Sequence, residues 1–389
     1  MHQTLIDVVF GPIRNPDHRA TNPVTAFKKH FLKNLATAVR TDPAFVDDAA
    51  RSARIAAWAA VPGAGLSFED QVGSILAVAT VFGFLQDSTP VKVSPAGVKV
   101  VDPPPASSIG GLVTTEADTE AAGNPTRSRV TLDHRIDARG RGHWVVNVPG
   151  TQEWGVGMPP NPSDATANLR TMAGVESSLY PAVTAAVASA MKKAGVRPGS
   201  EPVMLVGHSQ GGLVAARLAA NAQFRTRFNV THVLTVASPE SRIKIPKSVQ
   251  ALSIEHRADP VPRLDTKTEP EASNRTRAYL DPRSMMPPDK KGVADEHDGR
   301  RYAKSSTAHL GRGNTDPALR QWYSRTEGFM GGSDTRYSYN LSRPQPPSAP
   351  VSRPAPSPAP TPPPPPKPTP TPTPAWMNPR PWTAQTPAG

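Results

Sequence analysis

The sequence predicts an α/β fold with a mostly parallel sheet, and two observations support this prediction. Candidate strands and helices alternate along the chain from about residue 91, which is the pattern of a sheet whose parallel strands are joined by helices. One candidate strand, residues 203–206, is short and wholly apolar. Such a strand is typical of a parallel sheet that is covered on both faces.

The first 90 residues are predicted to be helical. Apolar residues recur there at helical spacing, and breaks such as Asp42-Pro43 and Pro62-Gly63 separate the helices. The longest apolar run, residues 72–85, is too short to span a bilayer comfortably, so we expect a buried helix. No chemistry is assigned to this N-terminal segment, whose predicted helices are residues 26–39, 47–60 and 72–85.

Residues 91–342 are predicted to form the main domain. Alternating or apolar runs bounded by proline and glycine mark its strands. The helix at residues 180–194 is closed by Gly195, and a second helix covers residues 213–222. The candidate strands are residues 91–93, 98–101, 129–136, 144–148, 203–206, 230–237 and 251–255.

Residues 343–389 form a proline-rich tail, since 20 of the 47 prolines of the chain lie there. A segment of this composition favours polyproline II and cannot bury a core. We expect a disordered extension that serves as a spacer or binds a proline-recognising partner.

The bulk composition excludes some functions but does not fix the compartment. The chain has no cysteine, which rules out disulfides, cysteine-based zinc sites and thiol catalysis. Its net charge of +12 is spread without a nucleic-acid-binding motif, so we expect no nucleic acid partner and only peripheral contact with anionic surfaces. The first 20 residues lack the apolar core of a secretory signal. A cytoplasmic or non-classically exported protein is therefore expected.

The strongest motif is Gly207-His208-Ser209-Gln210-Gly211. It matches Gly-x-Ser-x-Gly, follows an apolar strand and opens a helix. This context predicts a strained strand-to-helix turn that exposes a nucleophilic serine, with glycines where a Cβ would meet neighbouring backbone. The helix N-terminus would present backbone N–H groups to a developing oxyanion.

A nucleophilic serine needs a histidine that is itself oriented by a carboxylate. In α/β folds that carry such a serine turn, the acid follows a later strand and the histidine comes after the acid in the chain. Asp259 follows the candidate strand 251–255, with Asp265 as the second choice. Two histidines, His297 and His309, remain candidates for the base, and His297 is preferred, partly on the resemblance described below.

The second oxyanion donor is expected from the loop after an earlier strand. Pro149-Gly150-Thr151-Gln152 directly follows the strand 144–148. The backbone N–H of Thr151 or of Gln152 would therefore complete a hole with that of Gln210.

Residues 130–330 resemble bacterial serine hydrolases of the α/β-hydrolase superfamily, in their lipase- and esterase-like branch. The residues that carry the resemblance are residues 148–152, 207–212 and 259–262, together with His297 and Tyr302. In such enzymes an Asp-x-Val-Pro loop bears the acid, and a histidine shortly before an aromatic residue is the base. The resemblance therefore implies an α/β-hydrolase fold, with Asp259 as the acid and His297 as the base.

These observations lead to the expectation of a serine esterase or lipase that cleaves a small-molecule or lipid ester without a metal or cofactor. Ser209, His297 and Asp259 would carry the reaction. The alternative is a non-catalytic envelope or surface-associated protein, in which a hydrolase-like body is tethered by the proline-rich tail. Labelling by a fluorophosphonate, which requires an activated serine, distinguishes the two.

Overall fold

The computed structural model describes residues 89–101, 107–154, 158–265, 273–285 and 293–344, with five further residues between 69 and 87. Most of the predicted N-terminal helices therefore lie outside the described residues. Within the predicted helix 72–85, Val72 and Leu76 are helical and buried. The tail beyond Pro344 also lies outside the described residues.

An eight-stranded sheet runs through the described part of the chain, in the order β1-β8-β2-β3-β4-β5-β6-β7. The strands from β3 to β7 are parallel, whereas β1, β8 and β2 form an antiparallel extension at one side. The predicted α/β class with a mostly parallel sheet is thereby confirmed. The strands are β1 (Lys92–Val101), β2 (Ser128–Ile136), β3 (Gly142–Val148), β4 (Val203–His208), β5 (Val230–Val236), β6 (Gln250–His256), β7 (Arg275–Leu280) and β8 (Ser333–Ser342).

Helices flank the sheet on both faces. In the described residues they are α1 (Ile109–Ala121), α2 (Ala165–Met172), α3 (Leu179–Lys193), α4 (Gln210–Ala220), α5 (Ala222–Phe228), α6 (Val293–Glu296), α7 (Gly299–His309) and α8 (Pro317–Thr326). Three 3₁₀ turns are present in the part of the chain that the structure describes, and they cover Val261–Asp265, Pro282–Met285 and Glu327–Phe329.

Alternation along the central strands divides the core into two layers. On β4, Leu205 packs in the cluster formed with α3 and α4, whereas Met204 and Val206 pack with α1, α7 and α8. These three β4 side chains are fully buried. Because successive strand residues point to opposite faces, the apolar run 203–206 in β4 requires helices on both sides, as the structure has.

The sequence of α3 accounts for its place in the core. Its buried residues recur three and four positions apart, which places them on one face. Lys192 and Lys193 lie in its last turn, where a positive charge favours the negative end of the helix dipole. Gly195 follows with a φ of 72°, a conformation that ends the helix at no steric cost to glycine.

Two sequence-based boundaries are corrected by the structure. The runs 91–93 and 98–101 were expected as separate strands, but they belong to one edge strand, β1, whose register shifts between Pro95 and Gly97. Arg343 was assigned to the tail by composition, yet it is buried. Its guanidinium contacts Asp87 and Asp164, each at 2.7 Å. The folded body therefore includes Arg343.

Candidate active site

Ser209 lies at the sharp turn between β4 and α4. Its φ of 53° and ψ of −120° belong to a strained conformation that non-glycine residues rarely adopt. Its backbone N–H donates to the carbonyl of Val236 at the end of β5, at 2.8 Å. A Cβ on Gly207 or Gly211 would overlap neighbouring backbone atoms. These close backbone contacts explain why the tight turn predicted from the Gly-x-Ser-x-Gly motif requires glycine at both positions.

Ser209, His297 and Asp259 form one hydrogen-bonded chain. The Oγ of Ser209 lies 2.9 Å from Nε2 of His297. The Nδ1 of the same ring lies 2.8 Å from Oδ2 of Asp259. In this arrangement the carboxylate holds the imidazole with Nδ1 protonated and Nε2 free to accept the hydroxyl proton.

Asp259 lies just after β6 and is 1 % exposed. Its Oδ1 accepts from the backbone N–H of Val261 at 2.9 Å, and its Oδ2 accepts from the hydroxyl of Tyr302 at 2.8 Å. Burial alone would raise the pKa of Asp259, but the neighbouring His297 and these hydrogen bonds leave the pKa below its ordinary value. The carboxyl is therefore held ionised beside the imidazole.

His297 lies in the two-residue turn between α6 and α7. Asp298 caps α7 by accepting from the backbone N–H of Arg301 at 2.9 Å. The carbonyl of His297 accepts from Nε2 of His208 at 2.9 Å. The base is thus held through its backbone as well as through its ring.

The structure separates the remaining candidates for acid and base. His309 is the last residue of α7 and is exposed, so His297 is the histidine placed against Ser209. Asp265, the second choice for the acid, accepts from the backbone N–H of Ser241 at 2.6 Å. Asp259 is the carboxylate that contacts His297.

The three candidates for the oxyanion hole differ in whether their backbone N–H group is already hydrogen-bonded. Gln210 is the first residue of α4, where backbone N–H groups have no intrahelical acceptor. The N–H of Gln152 donates to the carbonyl of Ser163 at 2.9 Å and is therefore engaged, which corrects the expectation that it was available. Among the described residues, the N–H of Thr151 has no hydrogen-bond acceptor. The candidate donors are thus the N–H groups of Gln210 and Thr151.

Two glutamates near the site had no motif to indicate them. Glu116 and Glu120 lie one turn apart on α1 and face His208, and the carboxylate of Glu120 accepts from Nδ1 of His208 at 2.9 Å. The same Glu120 oxygen accepts from the backbone N–H of Gly150 at 3.0 Å. The only signal in the sequence was the spacing of the two glutamates on one helical face.

A cavity of about 370 Å³ lies beside the oxyanion candidates. Ala117, Glu120 and Thr151 form one part of its lining, and Asp298 and Arg300 another. A second cavity of about 500 Å³ lies between α1 and α7, with Met285 at its edge. Ala117 and Arg300 belong to the linings of both cavities. Each cavity is therefore lined by apolar and charged side chains together.

None of the helices in the described parts of the chain combines the length and the apolarity that a membrane span requires.

Comparison with known proteins finds a match to a protein family in the middle of the chain. Residues 176–280 match the family model of the PGAP1-like alpha/beta domain. The matched segment includes Ser209 and Asp259 and ends before His297. No curated protein and no solved structure matches the chain. Together with the sheet topology, the match supports an α/β-hydrolase-like domain in this protein, compatible with serine hydrolase chemistry.

Proposed function

We propose that this protein is a serine hydrolase that cleaves carboxylic esters through an acyl-enzyme, in the lipase- and esterase-like branch of the α/β hydrolases. The observation that carries the proposal is the chain from Ser209 Oγ to His297 Nε2 and from His297 Nδ1 to Asp259, with distances of 2.9 and 2.8 Å. Nucleophile, base and orienting acid occur in the chain order that this fold uses.

In the first half of the reaction, Ser209 Oγ attacks the acyl carbonyl carbon while His297 Nε2 takes the hydroxyl proton. The carbonyl oxygen becomes an oxyanion, which accepts from the N–H groups of Gln210 and Thr151. Collapse of this intermediate breaks the bond to the alcohol oxygen. The alcohol leaves with the proton from His297, and the acyl group remains on Ser209.

In the second half, water attacks the acyl carbon and gives a proton to His297. The tetrahedral intermediate collapses to the carboxylic acid, and His297 returns the proton to Ser209. Asp259 stabilises the imidazolium in both halves by its charge and does not take up a proton. No step requires a metal or a cofactor.

A fluorophosphonate probe with a fluorescent reporter tests the proposal directly, because it reacts with activated serines. We expect the native full-length chain to be labelled at Ser209, as located by peptide mass spectrometry. Heat-denatured protein and Ser209→Ala should not be labelled. The rate of p-nitrophenyl butyrate hydrolysis should fall on the order of 10⁴- to 10⁶-fold in Ser209→Ala.

The opposite result has a clear meaning. A native chain that is neither labelled nor active on p-nitrophenyl esters would be a non-catalytic hydrolase-like body. Full ester hydrolysis by Ser209→Ala would show that another group is the nucleophile. A far-ultraviolet circular dichroism spectrum of each variant confirms that the fold is retained.

A further inference from the structure

Three ionisable side chains meet behind Ser209, on the side of the turn that faces α1. Glu116 and Glu120 come from α1, and His208 is the last residue of β4. We call them the Glu–Glu–His cluster. One carboxylate oxygen from each glutamate and one ring nitrogen from the histidine lie within 4.8 Å of one another. Three potential metal-ligand atoms are thus close enough to converge on one ion.

Glu116 is the least explained member of this cluster. It is 0 % exposed, and neither carboxylate oxygen meets a donor at full hydrogen-bond geometry among the described residues, although the backbone N–H of His208 lies close enough to lower its pKa. A buried polar group without a partner destabilises the folded state, and a buried charge does so more strongly. Burial accordingly raises the pKa of Glu116 well above its ordinary value.

The ring of His208 is oriented as a metal ligand would be. Its Nε2 lies 2.9 Å from the carbonyl of His297, and a carbonyl can only accept, so Nε2 carries a hydrogen. Its Nδ1 donates to the carboxylate of Glu120 at 2.9 Å, so a cation bound at this point would take the place of the Nδ1 proton. Metal-bound histidines commonly donate their other ring N–H to a carbonyl in this way.

The cluster is open to solvent on one side. The Glu120 side chain is 27 % exposed and lines the 370 Å³ cavity next to Thr151. An ion could therefore enter through this cavity, whereas Glu116 and His208 form the closed inner wall. An entry path, a converging ligand set and an oriented second shell are the features required of a metal site.

We propose that Glu116, Glu120 and His208 bind a divalent first-row transition cation, with Zn²⁺ as the best match. Two carboxylate oxygens and one imidazole nitrogen are ligands that Zn²⁺ accepts, commonly with a fourth position left for water. Ca²⁺ and Mg²⁺ prefer oxygen ligands alone and are disfavoured by the imidazole. Two ionised carboxylates also balance the charge of the ion, which satisfies Glu116.

The ion would have a structural role, because it would hold together the segments that surround Ser209. It would join α1 to the end of β4 directly before Ser209. Through His208 it would fix the carbonyl of His297, and through Glu120 it would fix the backbone N–H of Gly150, which precedes Thr151. The proposal concerns binding and stability, so it does not depend on whether the protein hydrolyses esters.

The test compares the full-length chain with two isosteric variants. Glu116→Gln removes one ligand charge without changing the shape of the side chain. Glu201→Gln is the matched control, because Glu201 pairs with His134 at 2.9 Å and offers a second His–carboxylate pair outside the cluster. Each protein is treated with a chelator, incubated with ZnCl₂, MgCl₂ or CaCl₂, and desalted. Metal content is measured by inductively coupled plasma mass spectrometry, and melting temperature by differential scanning fluorimetry.

We expect the wild-type chain and Glu201→Gln to retain about one Zn²⁺ per chain and to melt several degrees higher with Zn²⁺ than after chelation. Glu116→Gln should retain at least about 10-fold less Zn²⁺ under the same conditions. Mg²⁺ and Ca²⁺ should raise the melting temperature of none of them. The proposal is overturned if the wild-type chain retains no Zn²⁺, if Glu116→Gln retains as much as wild type, or if Ca²⁺ stabilises through Glu116.

A measurement on the wild-type chain covers the case in which Glu116→Gln fails to fold. X-ray absorption at the zinc edge should show a shell of oxygen and nitrogen ligands with a single imidazole. Two or more imidazoles would place the ion elsewhere in the protein and would overturn the assignment.

Discussion

Tyr302 donates its hydroxyl to the same oxygen of Asp259 that binds His297, and both contacts measure 2.8 Å. The hydroxyl also accepts from the backbone N–H of His256 at 2.7 Å. The ring of Tyr302 stacks on that of His256, with centroids 3.5 Å apart. Tyr302 therefore fixes the carboxylate that orients the imidazole, and His256 fixes Tyr302 in turn. This role makes Tyr302 a positioning residue for the proposed reaction.

Tyr302→Phe should lower kcat/KM for p-nitrophenyl butyrate about 10-fold, because a hydrogen bond to a charged group contributes about 1.5 kcal/mol or more. The variant should also lose about 1–3 kcal/mol of unfolding free energy, since the N–H of His256 loses its acceptor. Steady-state kinetics and urea denaturation measure the two effects.

Tyr323→Phe is the matched control for this prediction. Its hydroxyl accepts from the backbone N–H of Ile109 and donates to the carbonyl of Leu310, away from Asp259. It should lose stability and keep kcat/KM. Equal kcat/KM for both variants and wild type would show that the hydroxyl of Tyr302 does not position Asp259 for turnover.

The parts of the site that were predictable depend on local sequence. The turn at Ser209 is specified by adjacent glycines, and Asp259 by its place after a strand, and the structure puts both where the pattern indicated. The choice between Thr151 and Gln152 was not predictable, because it depends on how the connection between β3 and α2 folds back to bring the carbonyl of Ser163 to the N–H of Gln152. The contacts of Glu116 were hidden for a similar reason, since its burial requires α1 to pack behind β4.

The fold shows the same division between local and distant contacts. Strands β3 to β6 were recognised because apolar runs identify buried parallel strands. The position of β8 between β1 and β2 could not be predicted, because Tyr337 and Tyr339 pair with strands more than 200 residues earlier in the chain. Arg343 was wrongly placed in the tail because prolines follow it in the sequence. Its partners Asp87 and Asp164 are far away in the sequence and come close to it only in the folded state.

His297→Ala should reduce ester hydrolysis about as severely as Ser209→Ala, because nucleophile and base act as one unit. His309→Ala should keep most of the activity, since His309 is exposed at the end of α7. Initial rates of p-nitrophenyl butyrate hydrolysis by the two variants show which histidine is the base. Loss of activity in His309→Ala with retention in His297→Ala would assign the base to His309 and leave the reaction class unchanged.

Removing the proline-rich tail should leave the melting temperature and turnover unchanged if the chain ends at Gln345. A chain that ends at Leu341 should melt several degrees lower, because it lacks Arg343. Asp87 and Asp164 would then be buried without their shared cation, a loss of about 3–5 kcal/mol.

Arg343→Ala in the full-length chain separates the effect of this side chain from that of the tail. It should reproduce the loss seen in the shorter chain. Equal melting of all four proteins would mean that Arg343 contributes nothing to stability.

Glu255 should make the stability of the protein depend on pH. Burial raises the pKa of its carboxyl from 4.5 to about 7, against the opposing charge of Arg277. Glu240, Asp265 and Asp259 add negative charge around it. Since the folded state favours the protonated form, the contribution of Glu255 to stability is present below about pH 4.5 and is lost as the pH rises towards 7.

Glu255→Gln removes this titration while keeping an oxygen that accepts from Arg277. The difference in unfolding free energy between the variant and wild type should therefore move in favour of the variant by about 3 kcal/mol from pH 4.5 to pH 8. Urea denaturation across this range measures it. A difference that stays constant with pH would show that the carboxyl titrates at the same pH in both states.

The last prediction concerns the acyl chain of the substrate. An interfacially activated lipase is expected to carry an amphipathic lid with an exposed apolar face over its site. The segment between Asp259 and His297 is polar and charged, and none of its apolar runs, Met285-Met286 among them, is longer than three residues. The other apolar run is residues 72–85, and its described members Val72 and Leu76 are buried. We therefore expect neither run to act as an apolar lid.

The cavity beside Thr151 leads to the same expectation, because Glu120, Asp298 and Arg300 line it together with Ala117. Charged groups in the lining disfavour a long apolar chain, which cannot compensate their loss of water. Rates on p-nitrophenyl butyrate and octanoate should thus exceed the rate on palmitate by about 10-fold or more, at concentrations where all three are dissolved. With emulsified tributyrin, the rate should rise smoothly through the solubility limit. A preference for palmitate, or a jump in rate when the emulsion forms, would show that an apolar lid exists and that residues 72–85 are the first place to look for it.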